Sequence, residues 1–206
     1  NLIVPAGVTL TCEQGIGCGY DKNGEYATLN IFGEGKIVAN GKEYAAGIGG
    51  KDDEANGNIT VHGTTIVATG GYHAAGIGGG EGGKDPDGTT SIRIYTGTVD
   101  ATGGTDGAGI GGGDCQPGAH TYIYDGTVTA QGGKHGAGIG GGDEEGTLGI
   151  FIYGGTMITA TGGEHGAGIG AGEEGGNLRK APEGGVNISG GTLDIIGGKY
   201  AAGIGA

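Results

Sequence analysis

Apolar residues in this chain come in short alternating runs that end at paired glycines, and the runs return at a steady interval. The tripeptide Gly-Ile-Gly occurs seven times, centred on Ile16, Ile48, Ile77, Ile110, Ile139, Ile169 and Ile204, with steps of 29 to 35 residues. Aligned on these isoleucines, each repeat reads as a first alternating run, a second run closing at Gly-Gly, and a third run around Ala-Gly-Ile-Gly. The first run contributes Ile31, Val61, Ile94, Ile123, Ile152 and Ile188. The second contributes Ile37, Ile66, Val99, Val128, Ile158 and Leu193, followed two places on by Ala39, Ala68, Ala101, Ala130, Ala160 and Ile195. The third adds Ala46, Ala75, Ala108, Ala137, Ala167 and Ala202 before the motif isoleucines. A period of two predicts half-buried strands. A whole-chain repeat predicts stacking, because one unit alone cannot bury its apolar face. The expected fold is all-β: a parallel β-helix of about seven rungs, three short strands each, with neighbouring rungs ~4.8 Å apart. Residues 1–206 read as a single repeat domain, and the expectation is that it is a piece of a larger protein.

Composition narrows this picture. Glycine supplies 59 of 206 residues, without strict every-third spacing and with only 4 prolines, which excludes a collagen triple helix. Helices are disfavoured, since each interior glycine costs roughly 1 kcal/mol. The formal charge of −13 speaks against nucleic acid and anionic membrane surfaces and suits cations or neutral ligands. No apolar run is long enough for membrane insertion. Cys12 and Cys18 fall in the first repeat and Cys115 stands alone, a spacing unlike a zinc site. A Cys12–Cys18 disulfide and two ordinary buried thiols are both open.

Stacking turns each sequence column into a ladder, so candidate chemistry is read by column. Four residues before the motif isoleucine stand Tyr44, His73, Asp106, His135, His165 and Tyr200; four after it stand Asp52, Glu81, Asp114, Asp143 and Glu173. With glycine on both sides of each isoleucine, the expectation is a bare glycine trough walled by rings on one side and carboxylates on the other. A polymer lying there would offer hydroxyls to imidazole and carboxylate. The plainer alternative is that the glycines make tight corners and the polar residues are solvated. Stacked acids repel. Splayed rotamers, pairing with the histidines, or a divalent cation would relieve them. Calcium is the expected ion, with Asp114, Asp143 and Glu173 as its candidate ligands; a transition metal on the histidine ladder is the other option. Asp85-Pro86-Asp87-Gly88 reads as a turn before a calcium site. A third outward ladder, Phe32, His62, Tyr95, Tyr124 and Tyr153, lies on the first strand, with Arg93, Tyr122 and Phe151 beside it. Tyr95, Tyr124 and Tyr153 are the candidate sugar-stacking residues; self-stacking is their alternative.

The GAGIGGG repeats, with their ISGGT and TATGG segments, resemble glycine-rich repeat regions of large bacterial cell-surface proteins, and the chain from about Leu10 onward is similar to the right-handed, single-stranded β-helices of the pectate-lyase-like class. Some proteins with such regions are described as carbohydrate-binding. The resemblance implies an extracellular or cell-surface location, a polysaccharide or glycan partner, and adjacent domains in the same chain. The lyase chemistry of that class needs clustered acids, calcium and an arginine base. Only Arg93 and Arg179 are present, and the acids recur with the repeat rather than forming one asymmetric constellation. The expectation is therefore a non-catalytic carbohydrate-binding or adhesive module, with a structural stalk as the alternative and a polysaccharide lyase or hydrolase behind both.

Overall fold

A computed structural model describes residues 1–19, 25–85, 88–144, 146–174 and 185–205. Every strand pair in it is parallel, and the strands fall into a twelve-stranded and a seven-stranded sheet. The seven-stranded sheet is built only of Ile-Gly pairs, Ile16–Gly17 to Ile204–Gly205, each isoleucine in register with the next. The chain is thus the expected parallel β-helix. Five of its seven levels are enclosed on both sides: Ile48, Ile77, Ile110, Ile139 and Ile169 are fully buried, whereas Ile204, on the last described level, is half exposed.

The twelve-stranded sheet carries the other two walls. Ile31, Val61, Ile94, Ile123 and Ile152 form one inward ladder, and Ile37, Ile66, Val99, Val128 and Ile158 the next, all with almost no exposure. Each such side chain contributes about 1.5–3 kcal/mol by leaving water. Alanines at 39, 68, 101, 130 and 160 fill the narrow space left beside the larger residues. The three-strand expectation needs one correction. In two levels the first and second runs fuse into single strands, Asn58–Thr69 and Ser91–Thr102. Gly63 (φ 83°) and Gly97 (φ 123°) let the chain turn the corner without ending the strand, at the cost of register shifts around His62.

The third wall depends on glycine in a stricter sense. Gly49, Gly78, Gly111, Gly140 and Gly170 all have φ between 137° and 143°. A Cβ on any of the first four would overlap the carbonyl oxygen of the glycine one level on. The backbone of each level therefore rests directly on that of the next, and these glycines are buried.

Candidate functional site

Around each motif isoleucine the chain dives into the core and returns. The Ala75 amide donates to Gly79 O (3.0 Å), and Ala108 to Gly112, Ala137 to Gly141 and Ala167 to Ala171 repeat the closure. The two polar ladders flanking the motif thereby meet at the neck of the loop. Four of the five carboxylate residues donate their amides to the ring ladder one level before: Glu81 to Tyr44 O, Asp114 to His73 O, Asp143 to Asp106 O and Glu173 to His135 O. Among the described residues the glycine floor of the expected trough is buried at the five enclosed levels, and its two walls touch at His73, His135 and His165; at the Ile48 level a pocket remains beside Tyr44 and Asp52.

What reaches the surface is one mixed row. Asp106, nearly buried, stands between two histidines, its Oδ2 2.8 Å from His73 Nδ1 and its Oδ1 2.7 Å from His135 Nδ1. His73 Nδ1 is also 3.3 Å from Asp114, His135 lies 3.5 Å from both Asp143 and Glu173, and His165 Nδ1 is 3.1 Å from Glu173. Tyr44 stacks on His73 at 5.5 Å, and Tyr200 packs on His165 at 5.0 Å. Pairing with histidine is thus how this fold handles the stacked acids. Asp114, Asp143 and Glu173 do lie on successive levels, as their linked backbones require. They do not converge as one calcium cage, because each turns to a histidine. Two groupings bring ligand atoms within 4.8 Å of one another: His73, Glu81 and Asp114; and Asp106, His135 and Asp143.

Electrostatics follow from this crowding. Desolvation pushes the Glu81 carboxyl above its usual range, with His73 opposing and Asp114 adding to it. Desolvation likewise raises Asp143, against a backbone hydrogen bond from Glu144 and the charge of His135. The Tyr44 phenol is raised first by its hydrogen bond to Glu43. Beyond each acid sits a left-handed residue: Asp53, Gly82, Cys115, Glu144 and Glu174, with φ from 52° to 65°. No composition rule points to that column, since only one of the five is glycine. Cys115, exposed at its edge, has Sγ 3.3 Å from both Asp114 and Glu144. Partial desolvation, those hydrogen bonds and the two charges push its thiol up to about 12.

The aromatic ladder is a continuous stack. Phe32, His62, Tyr95, Tyr124 and Tyr153 lie ring on ring at 4.6 to 5.1 Å, nearly parallel. Beside it, Tyr122 stacks on Phe151 at 5.0 Å and the Arg93 guanidinium lies 4.8 Å over the Tyr122 ring. The faces that would grip a sugar are therefore turned against each other, and the stack presents edges.

Three remaining expectations resolve simply. Cys12 and Cys18 are free thiols, Cys18 buried with its pKa raised by desolvation. Of the Asp85-Pro86-Asp87-Gly88 segment, Pro86 and Asp87 lie outside the described residues; the Asp85 carboxylate accepts from the Thr89 and Thr90 amides, the Thr90 hydroxyl and the Tyr26 hydroxyl. Arg179 lies outside the described residues.

Coils of parallel strands, an apolar interior and laddered surface columns define a parallel β-helix repeat protein. The chain belongs to the β-helix repeat family, whose repeat matches residues 29–50, 59–81, 92–114, 122–143, 152–173 and 186–206, well over half of its length. No curated protein and no solved structure matches it significantly.

Proposed function

We propose that this chain is a non-catalytic structural repeat module, a stiff scaffold within an extracellular or cell-surface protein. One observation carries the reading: most side chains of the outward columns pack on their own neighbours one level away. Tyrosine faces are covered by tyrosine faces, and the carboxylates by histidines. Residues held ready for a polymer would leave faces or donors open instead. The same pairing supports a non-catalytic role, since acid–histidine contacts recur along the row at His73, His135 and His165 rather than forming one asymmetric constellation.

A second reading, the glycan-binding or adhesive face, rests on the edges of the aromatic stack. Tyr95 is 39% and Tyr153 47% exposed, so the phenol edges are open to hydroxyl-bearing ligands. A glycan array run with calcium and with chelator separates the two. The scaffold reading expects no retention in either condition. Specific retention lost in a Tyr95→Ala, Tyr153→Ala double variant would replace it with the adhesive one.

A further inference from the structure

The mixed row carries more negative charge than its histidines can answer. Glu81, Asp106, Asp114, Asp143 and Glu173 face His73, His135 and His165. Even with all three imidazoles protonated, two negative charges remain. At the same place two enclosed atoms, His73 Nδ1 and Glu81 Oε2, make no hydrogen bond; the 2.8 Å approach of His73 Nδ1 to Asp106 is close in distance but not aligned as one. Buried polar atoms without partners are uncommon and call for an explanation. Both orphans belong to one of the two groupings that bring an imidazole nitrogen and two carboxylate oxygens together.

We propose that this row binds divalent transition-metal ions of the zinc class at two places, His73–Glu81–Asp114 and Asp106–His135–Asp143. Ligand type selects the metal. Calcium takes six to eight oxygens, whereas one imidazole with two carboxylates and an open position is a nitrogen–oxygen set suited to zinc. Spacing agrees. Two ligands about 2.0–2.1 Å from a tetrahedral ion stand roughly 3.3 Å apart. His73 Nδ1 and Asp114 Oδ2 are 3.3 Å apart and His135 Nδ1 and Asp143 Oδ2 are 3.5 Å apart, while Asp106 Oδ1, now hydrogen-bonded to His135 Nδ1 at 2.7 Å, must give up that bond to the ion. The ligands of each set come from more than one level, so each ion ties neighbouring coils together at the neck of the motif loop. Ligation requires neutral His73 and His135, so even with His165 protonated four of the five carboxylate charges remain, and two dications balance them; at the first site the ion also satisfies both orphaned atoms. The inference is independent of the scaffold reading.

The test is calorimetric titration of chelator-treated full chain with zinc chloride, in parallel with calcium chloride. Two zinc ions per chain are expected, with calcium giving no comparable heat. At zinc a hundredfold above its Kd, the two sites together should raise the melting temperature by roughly 10–20 °C. Glu81→Gln should abolish one ion and keep the other, and Asp143→Asn the reverse, with far-ultraviolet circular dichroism checking that both variants keep their strands. Cobalt(II) should give a nitrogen–oxygen ligand-field spectrum. Zinc stoichiometry unchanged by both variants, calcium matching zinc, a sulfur-to-cobalt charge-transfer band, or loss of binding in Cys115→Ser would each overturn the proposal.

Discussion

Two columns on this rod face the same constraint and meet it in opposite ways. The aromatic column repeats like upon like: Tyr95, Tyr124 and Tyr153 stack at 4.7 and 5.1 Å, and every added ring covers another. The charged column cannot do so. Two carboxylates one level apart repel by about 1–4 kcal/mol, depending on how much water screens them. That column is therefore interrupted: Asp106 separates His73 from His135, and each further acid leans on a histidine. A coil of fixed pitch multiplies whatever a column contains, so identical neutral faces add favourably while identical charges must alternate or take a counter-ion.

The largest effect should come from removing the support that both columns share. In Gly111→Ala the new Cβ meets the Gly140 carbonyl at a φ of 137°. A loss of roughly 4 kcal/mol or more is expected, about 10 °C or more in melting temperature. A small, local effect would show that the columns stand independently of the backbone stack. Next comes Tyr124→Ala, which strips ring contacts from both Tyr95 and Tyr153. At about 0.5–1.5 kcal/mol per pair it should cost about 1–3 kcal/mol, and Tyr153→Ala, with Tyr124 as its described ring neighbour, about half as much. Equal losses in denaturant titrations would mean that stacking is not what holds this column.

The charged column should respond to pH. Glu81 and Asp143 titrate above the ordinary carboxylate range in the fold. Between the ordinary and the raised pKa the folded chain holds more protons than the unfolded chain, so their contribution falls as pH rises through that window. In chelator, Asp143→Asn should flatten this slope in melts taken across the acid range, while Tyr124→Ala leaves it unchanged. The smallest effect on stability, and the most telling about the acids, concerns Cys115. With its thiol pushed up to about 12, alkylation at neutral pH should run at least roughly tenfold slower than for a free cysteine, despite its exposure. Asp114→Asn or Glu144→Gln should speed it, and a normal rate in the wild type would contradict the crowding described here.

The inward columns were legible in the sequence because core burial imposes type and spacing together. An alternation of Ile or Val with Ala, fixed relative to Gly-Ile-Gly, leaves one way to close three walls, and the registers of Ile66 with Val99 and of Ile110 with Ile139 follow it. The outward columns were legible as columns but not as a site. Whether His73 and Asp114 face each other across an open floor or touch depends on the reversal at Ile77, which is set by the Gly78 φ and the Ala75–Gly79 hydrogen bond. Glycine spacing marks that reversal without saying which way it folds the flanks. Ring orientation was hidden for a related reason: an aromatic column looks the same in sequence whether its faces point outward or at one another. The left-handed Cys115 and Glu144 carry no sequence signal, because their conformation comes from backbone contacts to the next level.

The near-identity of the inner ladders has a kinetic consequence. Isoleucine, valine and alanine recur so evenly that a coil docking one whole turn too far would find an equally good interior, and nothing in the core would reject it. The order of the neck residues would. Skipping a turn would bring His73 beside His135 and strip Asp106 of its two imidazoles, and would leave Asp114 opposite the wrong ring. The uneven outer sequence thus acts as an address for each coil, telling an otherwise repetitive chain which neighbour is the right one as it winds up.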